Sequence, residues 1–440
     1  MTRKLFLATF FRLLTIFIIT TSIAGIYCLA ATLSEKTLYK FQTKASDGEN
    51  PAANLIADAA GNLYGTAEYG GDNGYYGTVF ELSPPTKPGG PWTEATLYAF
   101  KNDGDGARPT DGLVFDKAGN LYGTTSDSDA GGYGEVFELS PPASKGGAWS
   151  ESVLYSFQGT VNDGAYPAAG LIFDAAGNLF GTTETSVFEL SPPATSGGPW
   201  TFTHLHEFTS NTSDGWTSLS GVVIDQQGNL YGTTSMGGYS GSGYCLYGGC
   251  GTVFKMTRPA TSGGAWTEQV IYPFFGGVDG WYPPSGLAID SAGNLYGTTY
   301  SGGMLGGGTL YQLAPPSTAG GQWTKTILHN FTYSSLYEGA APVAAPIFDK
   351  SGNVYGTTLF GGNSCEFDGA AYGCGTVYEL IPPTTQGGSW TENVLYRFLK
   401  GGIAARNPNA GLLLDKSGNL YGTTTYGGLD ERGTAFEIVR

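Results

Sequence analysis

The phrase Asp58-Ala59-Ala60-Gly61-Asn62-Leu63-Tyr64-Gly65-Thr66 returns six more times with small changes, at Asp116 to Thr124, Asp174 to Thr182, Asp225 to Thr233, Asp290 to Thr298, Asp349 to Thr357 and Asp415 to Thr423. A period of roughly 50 to 65 residues that runs until the chain ends marks a repeat architecture, in which one supersecondary unit packs against copies of itself. Length alone, at 440 residues, would suggest two or three domains. The uninterrupted repeat argues for one.

Each copy holds four segments. Strand A is an apolar run ending in Asp, such as Leu113-Val114-Phe115-Asp116, and its lack of alternation predicts burial on both faces. An Asp-x-x-Gly-Asn turn follows, whose Asp can accept from the backbone two residues on and whose Gly and Asn tolerate positive φ. Strand B is Leu-Tyr-Gly-Thr-Thr. After a Gly-rich loop comes strand C, for example Gly77 to Leu82, with the period-2 alternation of a half-buried strand. A Pro-Pro-x-x-x-Gly-Gly-x-Trp connector leads into strand D, Trp92 to Phe100.

Four antiparallel strands in seven copies predict an all-β, seven-bladed β-propeller. The last copy stops at strand C, Gly433 to Ile438, and the missing strand D pattern stands at the other end as Leu38-Tyr39-Lys40-Phe41. Closing the ring with that N-terminal strand would remove the open sheet edges of a linear array.

Residues 1–31 read as a secretory signal peptide, with Arg3 and Lys4 before an apolar stretch and a cut after Ala30 or Ala31. An uncleaved N-terminal anchor is the alternative, because the stretch is about long enough to span a bilayer. Residues 32–440 would then form a single propeller. The formal charge is −16, and without the leader 18 basic residues face 37 acidic ones, so nucleic acid is not an expected partner. Once Cys28 leaves, four cysteines remain, an even number that suits an oxidising, extracellular or periplasmic compartment. Cys245 and Cys250 share one B/C loop and Cys365 and Cys374 another, so local pairs are expected over cross-links between copies or a zinc site.

Taken together, Asp-x-x-Gly-Asn-Leu-Tyr-Gly-Thr-Thr, Gly-Thr-Val-Phe-Glu-Leu, Pro-Pro and Gly-Gly-x-Trp-Thr-Glu resemble the GloVer tandem repeat of exported bacterial choice-of-anchor proteins, over about residues 33–440. More distantly the chain is similar to NHL-type and two-component-regulator propellers. The resemblance implies export and implies no characterised activity.

Function has to come from sites grafted on the fold. The D/A loops carry acidic-Gly-x-x-Pro: Asp47, Asp105, Asp163, Asp279 and Glu338 begin full copies, Asp214 begins one with Ser218 for Pro, and Ala404 replaces the acid in the seventh. These six carboxylates either cap their own turns or ring one mouth of the central channel. Two Trp residues outside the connector, Trp216 and Trp281, lie in consecutive D/A loops with Tyr166 and Tyr282, close to Asp214 and Asp279 and to the cysteine-bearing loop with Tyr239, Tyr244 and Tyr247. Packing of Gly-rich loops is one reading of these aromatics. The other is a notch in which rings stack on a sugar, or accept a basic protein loop, while carboxylates take hydroxyls or cations. His206 and His329 stand where other D strands have Tyr. A non-enzymatic binding or scaffold module is the leading expectation, as a monomer. A glycoside- or lactone-cleaving propeller using carboxylates or calcium is the alternative. No catalytic set, resident cofactor or metal site is expected from the spacing, and no calcium-loop spacing supports that ion.

Overall fold

The computed structural model describes residues 33–440 apart from 44–45, 73–74, 129–131, 145, 168, 196, 210–213, 239–244, 246–247, 262, 319, 334–337, 363–364, 368–369, 386 and 401–403; at 366–367 and 370–371 it describes backbone alone. The leader and its cleavage therefore lie outside the described residues. No helix among the described residues is long and apolar enough to cross a membrane.

Seven four-stranded antiparallel sheets follow one another in the order A-B-C-D, spanning 56–99, 114–156, 172–207, 223–273, 288–332, 347–397 and 413–439. The seventh takes its strand D from Ser34–Lys40, which pairs with Thr434–Val439 from Ser34 opposite Val439 to Lys40 opposite Thr434. The sixth has an extra strand, Gly339–Pro342, against its strand B. This is a closed seven-bladed β-propeller. In such topology the B/C and D/A loops share one face, and the A/B and C/D turns share the other.

Strand A is shorter than the sequence suggests. It is two residues in every blade and half-buried, as at Val114–Phe115, while the residue before it, such as Leu55 or Leu113, is the buried one. The reason is position: A is the innermost strand, and its side chains lie partly covered against the clusters between blades, as those of Val114 and Phe115 do, while the residues before it turn inward.

The repeated letters are inter-blade contacts. In blade 1 Gly65 faces Phe80 across strands B and C, and a Cβ on Gly65 would meet that ring at 2.7 Å. Only Gly leaves room for the aromatic knob, and the same pair recurs through Gly422 and Phe436. Each knob is met edge-on by the Phe that ends strand D of the preceding blade. Phe41–Phe80, Phe100–Phe137, Phe157–Phe188, Phe208–Phe254, Phe274–Tyr311, Phe331–Tyr378 and Phe398–Phe436 lie 5.0 to 5.3 Å apart between centroids. Such pairs add about 0.5–1.5 kcal/mol each beyond burial. The first of them crosses the closing boundary.

Strand B threonines sew the inner edge. Thr66 Oγ1 donates to the Asp111 carbonyl of the next blade at 3.0 Å, Thr124 and Thr233 repeat the bond to Ala169 and Ser285, and Thr423 reaches Ala53 at 3.2 Å to complete the ring. On the opposite face the connector Trp packs on the strand B ring of the preceding blade, as Trp92 does on Tyr421 and Trp200 on Tyr122.

The A/B turn is a fixed network. Asp58 Oδ1 accepts from the Ala60 and Asn62 amides at 2.8 and 2.9 Å, and Oδ2 takes the Asn62 side-chain amide and the Tyr64 hydroxyl. In the third blade, where Phe180 has no hydroxyl, Arg258 reaches Asp174 instead at 3.2 Å.

A last contact links two motifs that look independent in sequence. The Gly before strand C lies under the Pro of the next D/A loop: a Cβ on Gly77 would meet Pro109 at 2.5 Å, and the same pairing joins Gly134 to Pro167, Gly251 to Pro283, Gly308 to Pro342, Gly375 to Pro408 and Gly433 to Pro51. At the seventh boundary both partners change together. Thr185 stands for the Gly, its carbonyl taking the Phe208 amide as Gly77 takes that of Phe100, and Ser218 stands for the Pro.

Candidate functional site

The D/A acids point into their own turns. Asp105 is buried, accepts from the Tyr98 hydroxyl at 2.7 Å and takes the Lys101 amide, while Asp47 accepts from Tyr39 and the Gln42 amide and Asp163 from Tyr155 and the Gln158 amide. Asp214 takes the Thr209 and Gly215 amides, with His206 in the place of the Tyr. Asp279 takes the Tyr272 hydroxyl and the Phe275 amide. The ring of six carboxylates around the channel mouth does not form, because none of them lines the central cavity. A short loop between an outer strand and an inner one needs a buried acceptor for its amides, and the acid supplies it at the outer end.

Several of these acids also meet a charged or acidic side chain on strand D of the next blade, which makes a polar node at the outer boundary; beside Asp163 the place is taken by Phe202, stacked on Tyr155. Glu151 stands beside Asp105, Glu268 beside Asp214 and Glu392 beside Glu338; burial, with the neighbouring acid, pushes all three carboxyls up to about 7. At Asp279 the partner is Lys325, whose ammonium lies 2.9 Å from the carboxylate and over the rings of Tyr272, Phe274 and Tyr311. Burial pushes Lys325 down to about 8 even with Asp279 beside it.

The central cavity, about 590 Å³, is lined by the residues before strand A in all seven blades. Asp111, half-buried at the cavity wall, accepts from the Gly112 and Gly170 amides at 2.6 Å each, and burial still pushes its carboxyl up to about 6.

The aromatics expected to form one notch are distributed over several surroundings. Tyr282 lines the central cavity with Tyr300. Tyr166, 42% exposed, borders a second cavity of about 460 Å³ with Arg108, Asp127 and Glu184. Trp216 is 38% exposed on a two-residue strand pairing Gly215–Trp216 with Met236–Gly237. Trp281 is half-buried and packs on the cluster that holds Cys245, Cys250 and Leu287. Neither Trp lines the central cavity or the one that Tyr166 borders. Tyr244, with Tyr239 and Tyr247, falls outside the described residues. The cysteines pair locally, Cys245 with Cys250 and Cys365 with Cys374, at Cα separations of 5.3 and 5.1 Å.

A wider feature escaped the sequence reading. Of the 14 exposed large hydrophobic side chains among the described residues, 12 sit on D/A or B/C loops, including Tyr75, Val278, Met304, Leu305, Tyr333, Tyr372 and Leu429; the exceptions are Ile381 and Val439. The signal was present in Gly303-Met304-Leu305-Gly306, an apolar pair inside a glycine turn that has no packing role in a four-strand repeat.

Fold and loops together define a closed, disulfide-bearing repeat propeller with one variable, apolar face. The chain belongs to the Gloeobacter/Verrucomicrobia repeat family, whose model matches residues 21–189 and 246–440. A search of curated proteins finds no match. Among solved structures it is similar to the extracellular domain of a protein described as a hybrid two-component system from B. thetaiotaomicron, at 12% identity over 92% of this chain and 41% of that one, TM-score 0.47. It is also similar to a gluconolactonase from Xanthomonas campestris, at 12% identity over 93% and 92% of the two chains, TM-score 0.39. A third is PorZ, a surface component of the type-IX secretion system of Porphyromonas gingivalis, at 14% identity over 85% and 46%, TM-score 0.43. Enzyme and non-enzyme stand side by side among them, so the likeness is silent on activity.

Proposed function

We propose that this protein is an exported, non-catalytic binding propeller that holds a protein partner on the face built by its D/A and B/C loops. The observation that carries the reading is the gathering of 12 of those 14 exposed large hydrophobic side chains on that face. Exposed apolar patches on a soluble chain mark interaction surfaces. Aliphatic residues such as Val278, Met304, Leu305 and Leu429 favour a protein over a sugar, because a sugar ring stacks on flat aromatics. Two loop disulfides support an oxidising compartment outside the cytoplasm. The carboxyl pairs Asp105–Glu151 and Glu338–Glu392, which a hydrolase reading would use, line neither the central cavity nor the one beside Tyr166.

A carbohydrate ligand is the second reading, favoured by the exposed rings of Tyr166 and Trp216. Surface-specific cross-linking in the exporting cell, alongside a glycan array on the mature chain, tests both. Leu305→Glu combined with Trp216→Ala should abolish the partner cross-link, and Ile381→Glu on the opposite face should leave it intact. Equal cross-linking by all three proteins overturns the assignment of the face, and a glycan hit lost on Trp216→Ala with no protein cross-link selects the second reading.

A further inference from the structure

We propose that His206, Asp214 and Glu268 form a divalent metal site at the outer junction of the third and fourth blades, with Zn²⁺ the ion whose chemistry fits. Ligand atoms from the three side chains all lie within 4.8 Å of one another. His206 Nε2 is 3.4 Å from Asp214 Oδ1. Two donors held about 2.0–2.1 Å from a tetrahedral ion stand about 3.4 Å apart, so this edge of the site is already set. Imidazole with two carboxylates is a zinc donor set, and the partly exposed position leaves the fourth place to water.

Three independent features point the same way. Glu268 Oε1 is shut off from solvent and has no hydrogen-bond partner among the described residues, a costly state that it shares with Glu151 Oε1 and Glu392 Oε1 and that at this node, where an imidazole stands beside it, an ion would relieve. The charge is also uncompensated. Lys101 stands near Glu151, Arg397 near Glu392 and Lys325 on Asp279, whereas the charged neighbours acting on Glu268 are His206 and Asp214. Among the described residues no lysine or arginine acts on Glu268, so two carboxyl side chains and an imidazole form a set that a dication would balance. Finally, Asp214 is held as a ligand would be: the Thr209 amide and hydroxyl bind Oδ2 and the Gly215 amide binds Oδ1, fixing its orientation.

The location gives the ion a task. This is the boundary where Thr185 and Ser218 replace the Gly–Pro contact found at the other six. The ion would join strand D of the third blade, through His206, to strand D of the fourth, through Glu268, and to the loop between them. A metal staple would thus stand where the usual interlock is missing.

The test is Zn²⁺ titration of the chelator-dialysed mature chain, by calorimetry and by melting temperature, with Co²⁺ as a spectroscopic probe. Wild type should bind one ion per chain, melt higher with zinc and give Co²⁺ the intense visible bands of a tetrahedral N/O site. His206→Tyr installs the residue that four other nodes carry, so it should fold; Glu268→Gln keeps shape and is the second variant. Each should weaken zinc binding at least about tenfold and remove the zinc-dependent rise in melting temperature. No zinc-dependent shift in wild type overturns the proposal. So does binding that both variants retain, which would place the ion among other surface carboxylates.

Discussion

Replacing Gly77 by Ala perturbs the contact between neighbouring blades at a single atom, and Gly89→Ala in the same blade supplies the control. Both glycines are left-handed, with φ of 98° and 78°, so an added Cβ costs about 1–2 kcal/mol at either from its clash with the following carbonyl. Around Gly89 nothing lies within 4 Å of that Cβ; around Gly77 it would meet Pro109 Cδ at 2.5 Å and the Ala67 and Glu68 carbonyl oxygens at 2.7 and 2.8 Å. Two backbone walls and a rigid ring cannot all retreat, and overpacking of this kind adds about 1–3 kcal/mol. Gly89→Ala should therefore cost about 1–2 kcal/mol and Gly77→Ala about 2–5 kcal/mol. Pro109→Ser removes the nearest wall, and in the Gly77→Ala background it should recover part of the loss. The coupling should be about 1 kcal/mol, in the range found for residues in contact. Urea unfolding of the four proteins, compared by midpoint at unchanged slope, reads these differences. Equal midpoints for Gly77→Ala and Gly89→Ala would refute the reasoning, because the backbone term alone would then account for both.

Removing residues 32–41 should strip strand D from the seventh blade, expose the edge of Thr434–Val439 and lower the melting temperature with aggregation; an unchanged melt would mean that the ring does not need its clasp. Stability of metal-free protein should fall as pH rises. Glu151 and Glu392 have folded values near 7 against 4.5 unfolded, so the folded state binds more protons between those values, and the stabilisation is complete below about pH 4.5 and is lost as pH climbs through 7. Glu392→Gln should flatten that slope in urea midpoints taken from pH 4.5 to 8, and an unaltered slope would show that its carboxyl is charged throughout.

Blade number, closure, strands B to D, the Asp turns and the local disulfides were legible because each is written in a few adjacent residues: a period-2 stretch, a turn tripeptide, two cysteines in one loop. Strand A was overestimated because Leu113-Val114-Phe115 reads as buried on both sides, when only Leu113 is fully buried and Val114 and Phe115 are half-buried against the clusters of the flanking blades. What was not legible depends on contacts between copies. Gly77 and Pro109 belong to different motifs, and their link shows only when one blade is compared with its successor, as the joint change to Thr185 and Ser218 reveals. The described aromatics of the expected notch meet different surroundings, which the sequence does not show. Tyr166 and Tyr282 occupy the same left-handed position before Pro, at φ 56° and 58°, yet one borders a cavity with Arg108, Asp127 and Glu184 and the other the central one.

The contacts that close the ring and the side chains that could meet a partner are kept apart, and this gives the irregularities their meaning. Threonine bonds, Phe edges and Trp packing all lie within or below the strands, so a B/C loop can lengthen, or gain Met304 and Leu305, without touching any of them. Regular positions are thus held by ring closure, and loop positions are answerable only to what binds there. The third-to-fourth boundary breaks this separation. There the shortened loop at Thr185 and the loss of proline at Ser218 remove one closure contact, and the same boundary carries His206, Asp214 and Glu268 in place of a tyrosine-capped node. The outer node changes elsewhere too, since His329 replaces the tyrosine near Glu392 while Gly308 still meets Pro342. What is particular to the third-to-fourth junction is that the altered loop contact and a histidine meet there, and among the described residues it is there that imidazole and two carboxylates come within 4.8 Å of one another, so it is the junction at which a bound ion would make up for the lost contact.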